Sequence, residues 1–195
     1  MLSLTRRLGQ RILIGRDVEV TILGVQGGKV RLGIAAPRSV PVHRAELVAK
    51  VEAQNRHALA RTVAQGVEAG QELRFPEGLF GLREHTAFVL CDLAEGNPIR
   101  CLVSCVDPAV QLLVIDAETA WPSYPLDAAR AALGVDGEVA VALVVNVPAD
   151  GGPATANTLA PLVLAMDSRE GRQVVLERPG LRVDAAIGKA PGEGG

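Results

Sequence analysis

Apolar and polar residues alternate from Val18, with Val18, Val20 and Ile22 on one face and Glu19 and Thr21 on the other. This is the two-residue period of a half-buried strand. The run continues through Leu23 and Val25 to Gln26-Gly27-Gly28-Lys29 and resumes with Val30, Leu32 and Ile34 around Arg31 and Gly33. Two alternating runs joined by Gly-Gly predict a hairpin, because primed turns need positive φ at both central residues. Ahead of it lies SLTRRLGQRILIG (3–15), read as an opening strand that points Arg6 and Arg7 to opposite faces. Behind it Pro37 punctuates a loop, and Val40 and Val42 begin another short strand. Pro41 within that strand has no donor and so belongs at an edge or a bulge. After Arg44 the period changes: helix formers fill the next twenty or so positions, with Leu47, Val51, Ala58 and Thr62 along one side. Residues 1–65 thus read as about five short strands and one helix. A domain of that size hides only about 60 % of its surface, so dimerisation is the natural remedy.

From residue 66 onward the pattern is mainly β again, in the runs AFVLCDL, IRCLVSCV, LLVID, EVAVALVVNV, LAPLVLAM and RQVVLE. Turn clusters such as Glu95–Pro98 and Ala149–Pro153 separate them, which predicts a sandwich or barrel. One helix interrupts the strands, with Asp127 expected as its N-cap and Gly134 just past its end. The tail at 188–195, GKAPGEGG, is expected to be disordered.

Net charge is −2, a figure that hides a strong asymmetry. Residues 1–65 hold eleven Lys/Arg against four acids (+7), whereas residues 66–195 hold nine against eighteen (−9). A basic half of this kind points to an anionic partner, nucleic acid being the usual one. Aromatics are only 3 % of residues, so aliphatic packing must supply most of the core. No apolar run reaches the roughly 18 residues of a membrane helix, and Arg6 and Arg7 interrupt any signal-peptide core. Cys91, Cys101 and Cys105 are expected as reduced core thiols, and His43, His57 and His85 show no metal-ligand spacing. Phosphate-cradling glycine loops and nucleophile signatures are missing, so neither an enzyme nor a cofactor or metal is expected. A cytoplasmic protein is the expectation.

LTRR, ILIG, VTILGVQGGKVRLGI, AP and VHR follow one another in order between Leu4 and Arg44, within a match that runs from Met1 to about Arg61. In these residues the chain resembles the carbon storage regulator (CsrA) family of bacterial RNA-binding proteins. The resemblance implies a homodimer in which the first strand of one subunit lies beside the fifth of the other. Leu4, Arg6, Arg7, Val42 and Arg44, with His43 at the margin, would then form an RNA surface for GGA-containing hairpin loops near ribosome-binding sites in mRNA. Single-stranded loops present base edges and phosphates, and arginines serve both. Ser3 and Pro41 depart from the family pattern.

FPEGLFGL (75–82), FVL (88–90), SCVDP (104–108), YPLD (124–127), TANTLAPLVL (155–164) and GRQVVLE (171–177) resemble a second family, the flagellar assembly factor FliW. That family implies a β-barrel-like protein that binds flagellin and antagonises carbon storage regulators through their C-terminal helix. Phe80 and Leu82 depart from its pattern. Its leading strand is cut short, so a pairing within Val67–Arg74 or cover from the preceding helix has to fill the gap. On the helix, Val51, Asn55 and Ala58 share a face, and a polar Asn55 amid that stripe is awkward for core packing.

The expected fold is therefore mainly β: a five-stranded interlaced-dimer β domain with a C-terminal helix, then a small antiparallel β-barrel-like domain with one short helix. The expected domains are 1–65 (RNA binding and dimerisation), a linker at 66–74, 75–187 (flagellin binding and antagonism), and the tail. The function this implies is translational regulation with a cis-acting antagonist that senses flagellin. The alternative is a flagellin-binding assembly chaperone whose first part only dimerises and docks. Docking within one chain and docking across the dimer remain open at this level.

Overall fold

The computed structural model describes residues 2–37, 40–58, 72–134 and 137–187. Strands β1 (Arg11–Ile14), β2 (Val18–Gln26) and β3 (Lys29–Ala35) form an antiparallel sheet in that order. The hairpin is as expected: Gly27 and Gly28 turn it with φ of 53° and 76°. Ile12 pairs with Val20, Ile22 with Leu32 and Val25 with Val30, across a bulge at Leu23. Cross-strand partners share a face, so Ile12, Ile14, Val18, Val20, Ile22, Val25, Val30, Leu32 and Ile34 line one side of the sheet.

Three strands stand here where five were expected. Neither the Ser3–Leu8 stretch nor Val40–Arg44 joins a ladder. An extended segment without a partner strand has nothing to satisfy its backbone, and a single chain supplies none for these two. The mainly β class stands.

The chain divides into two compact units at Arg44/Ala45. Helix α1 (Ala45–His57) therefore belongs with the second unit rather than with the strands before it. Thr62 and residues 66–71 of the expected linker lie outside the described residues, as does the tail at 188–195. Glu72–Arg74, assigned above to the linker, is a strand, β4, paired with β5 (Ala87–Asp92). The short pairing anticipated for the leading strand is thus present.

The second unit continues with β6 (Ile99–Ser104), β7 (Gln111–Asp116), α2 (Ala117–Ala120), α3 (Leu126–Leu133), β8 (Val139–Asn146), β9 (Thr155–Ala156), β10 (Leu162–Ala165), β11 (Gly171–Gln173) and β12 (Ala185–Ala186). The main sheet runs β11-β10-β8-β7-β6-β5-β4, with β9 pairing both β8 and β12. It does not close into a continuous barrel. Among the described residues its end strands meet at one parallel bridge, Arg74 with Glu170, where the Arg74 N–H donates to the Arg169 carbonyl at 2.9 Å.

Two helices, not one, follow β7. Asp116 caps α2 by accepting from the Thr119 N–H at 2.8 Å. α3 starts after Pro125 without a side-chain cap, so Asp127 sits in its first turn rather than at the N-cap. There its charge still suits the helix dipole. Gly134 ends the helix in the left-handed conformation as expected.

The apolar run in β8 reflects burial on both faces. Val141, Leu143 and Val145 pack in a cluster with Trp121, Tyr124 and Ala129, while Val144 joins Phe75, Phe88 and Leu102 on the other side. Phe75 and Phe88 meet edge to face at 5.8 Å. Cys91 and Cys101 are buried cross-strand partners, but Cys105 is exposed, because it lies past the end of β6. Burial pushes the Cys101 thiol up to about 11, helped by the charge of Cys91. Gly171 has no room for a side chain: a Cβ there would lie 2.6 Å from the Val163 carbonyl oxygen and 3.0 Å from the Phe75 ring. Gly171→Ala is expected to cost about 1–3 kcal/mol by overpacking, read as a lowered urea midpoint at unchanged m-value.

Candidate functional site

The arginines singled out from the sequence lie at the surface. Leu4, Arg6 and Arg7 are exposed, as are Val42 and Arg44, while His43 is half-buried. A short turn ties the arginine segment to the sheet. The Arg7 N–H donates to Gln10 Oε1 (2.8 Å), and the Gly9 N–H donates to the Ile22 carbonyl (2.9 Å). Gly9 takes φ of 78°, which lets the chain leave the ladder, and Arg6 turns its guanidinium to the Thr5 carbonyl at 2.9 Å. Nothing before Leu47 is buried among the described residues. The arginines therefore belong to a unit whose sheet has an open apolar side, with Leu32 49 % and Ile34 46 % exposed.

The second cluster of singled-out residues is deeply enclosed. Leu47, Val51, Asn55 and Ala58 fall at helical spacing on one stripe of α1 and its end, and all four are buried. Leu47 and Val51 share a cluster with Leu159, Ala160 and Val175, with Phe80 packed against it. Ala58 belongs with Leu73, Phe75 and Leu79. Between them Asn55 is fully buried, and its carboxamide is matched atom for atom. Asn55 Nδ2 donates to the Phe80 carbonyl (2.9 Å) and to Gln173 Oε1 (2.8 Å). Gln173 Nε2 returns a bond to Asn55 Oδ1 (3.4 Å) and donates to the Ala160 carbonyl (3.1 Å), while the Phe80 N–H donates to Gln173 Oε1 (3.1 Å). The main chain dictates both amide orientations: two carbonyls demand an NH2 group from each residue, and one N–H demands an oxygen from Gln173. Gly81, at φ of 77°, lets the loop approach the helix, since a Cβ there would lie 3.2 Å from the Glu52 carbonyl oxygen.

Comparisons with known proteins divide at this helix. Residues 1–53 match the CsrA global regulator protein family, and residues 58–187 match the FliW protein family. The chain is a CsrA–FliW fusion. Its first part is 60 % identical over 58 residues to the translational regulator CsrA of Nocardioides sp., covering 30 % of this chain and 70 % of that one. It is 46 % identical over 68 residues to the CsrA of Leifsonia xyli subsp. xyli, covering 35 % of this chain and 80 % of the relative. A crystal structure of the flagellar assembly factor FliW superimposes with a TM-score of 0.54 at 27 % identity, covering 66 % of this chain and 95 % of the other.

In the fusion, the TANTLAP stretch of the FliW part forms the floor under α1. Tyr124 Oη donates to the Thr158 carbonyl (2.7 Å), and Thr158 Oγ1 exchanges bonds with the backbone of Arg182. Asn157 Oδ1 accepts from the Ala160 N–H at 2.9 Å, which fixes the carbonyl that Gln173 uses. Sequence reasoning missed Phe80 and Gln173 as partners of Asn55, and Gly81 as the residue that lets the Phe80 loop approach the helix. Gln173 did leave a signal: a carboxamide at an inward position of a β run, beside Val174 and Val175, needs a buried partner.

Asn55→Asp puts an acceptor-only carboxylate against the Phe80 carbonyl and Gln173 Oε1. The expected loss is about 3–5 kcal/mol, against about 1–3 for Asn55→Ala, in urea unfolding of the full chain. Equal stability of the Asp variant and the parent would rule out this network as the hold on α1.

Proposed function

We propose that the fusion is a post-transcriptional regulator whose CsrA part binds GGA-containing hairpin loops in mRNA leaders, while its FliW part acts as an antagonist in cis and as a flagellin sensor. The observation that carries this reading is the Asn55 carboxamide, satisfied wholly by Phe80 and Gln173 of the FliW part. Helix α1 begins at Ala45, directly after Arg44, so the helix held by that pair is the immediate continuation of the RNA-facing segment.

In this reading Leu4, Arg6, Arg7, Val42, His43 and Arg44 contact the RNA across a homodimer, and the molecule works in the cytoplasm, where translation occurs. The open aliphatic face of β1–β3 supports dimerisation, since a sheet of three strands with no buried residue needs another surface to cover it. Charge supports the antagonism: a part carrying −9 beside one carrying +7 competes with RNA phosphates. A short tether holds such a competitor at an effective concentration of about millimolar, so release needs a rival for the FliW part. Flagellin is that rival. Among the described residues no helix is long and apolar enough to cross a membrane.

The test is a titration of a labelled GGA hairpin with the full chain, with and without flagellin. Flagellin is expected to raise RNA affinity, and linkage requires RNA to raise flagellin affinity by the same factor. Arg44→Ala is expected to cost about 1–3 kcal/mol of RNA binding with little change in thermal stability. Equal binding by parent and variant would remove Arg44 from the site. Indifference to flagellin would leave the two parts independent. Sedimentation of the full chain at micromolar concentration is expected to give a dimer, and a folded monomer would defeat the split RNA surface.

A further inference from the structure

The main sheet of the second unit ends at β4 on one side and β11 on the other, and these ends share a single bridge rather than a ladder. Past the bridge the two edges are tied by side chains. Arg172 pairs with Glu77 at 2.8 Å, and the Phe75 ring lies against Gly171. Gln173 then reaches the Phe80 N–H. Asn55 of α1 bonds to both sides at once, to the Phe80 carbonyl in the loop that follows β4 and to Gln173 of β11. The helix also contributes to the apolar clusters on either side, Ala58 with Leu73 and Phe75, and Val51 with Ala160 and Val175.

From this we infer that α1 is the latch of the seam between β4 and β11, so that docking of the helix and closure of the sheet are one cooperative event. A partner that takes the place of α1 must then bring its own amphipathic helix, with apolar residues four apart, a carboxamide four further on and a small residue after it. Only such a helix fills both clusters and satisfies the Phe80 carbonyl together with the Gln173 carboxamide. A partner that binds elsewhere on the second unit leaves the latch in place. The inference deepens the antagonist reading by naming what can release the helix. It stands on the seam alone, so its test reads no RNA.

Native-state hydrogen exchange on the full chain at increasing urea provides that test. The amides of 49–57, 72–75 and 171–173 are expected to open together, with one opening constant and one urea dependence, and more readily than those of β6, β7 and β8. Asn55→Asp is expected to speed exchange at α1 and at the seam by one common factor, on the order of 1,000-fold, in step with the loss read by urea unfolding. A synthetic peptide of residues 45–58 added to that variant is expected to restore protection at the seam. The same peptide carrying Asn55→Asp is expected to restore none. Separate opening of α1 and the seam in the parent chain would overturn the latch. So would acceleration of α1 in the variant without acceleration of the seam, or protection restored equally by both peptides.

Discussion

A carboxamide in the middle of an apolar stripe is the constraint on which this molecule depends. Asn55 is fully buried, and water cannot satisfy it there. Its partners must be supplied by protein atoms at fixed positions, and among the described residues Phe80 and Gln173 supply them. Apolar contacts alone would let the helix slide along its groove or take another. A buried polar pair with every donor and acceptor used admits one register. The TANTLAP loop, the glycine at 81 and the inward-facing Gln173 are the local consequences of holding that register.

The helix is thereby committed to the FliW part, which changes the balance between the two units. The second unit holds every aromatic residue of the chain: Phe75, Phe80, Phe88, Trp121 and Tyr124. It builds its core around four of them, with Phe80 packed against α1. The first unit has none and is left with three strands whose aliphatic side chains remain open. A regulator built this way has one unit that is complete by itself and one that calls for a second surface. The arginines at 6, 7 and 44 stand on the incomplete unit.

Much of this was legible in the sequence, because the signals concerned were local. Alternation at Val18–Ile34 and the Gly27-Gly28 turn specify the hairpin through pleat geometry and positive φ, neither of which needs a distant residue. The helical stripe of Leu47, Val51, Asn55 and Ala58 and the Gly134 cap are of the same kind. Family resemblance located both parts, and the odd polarity of Asn55 was visible as a question. Its answer was not, since Gln173 lies 118 positions away along the chain.

Other outcomes were decided by tertiary packing. Ser3–Leu8 and Val40–Arg44 carry strand-like patterns, yet strand formation requires a neighbour, and a pattern cannot say whether the same chain provides one. Cys105 continues the alternation of β6, but the ladder ends at Ser104 and leaves the thiol outside. Asp127 looked like a cap because it precedes an alanine-rich run. Pro125 instead takes the cap position two residues earlier, through its fixed φ. The sequence by itself determined which segments could be strands, turns and helix. Long-range hydrogen bonds decided to which unit the helix belongs and how far the sheet closes, because the groups that satisfy them are brought together only by the fold.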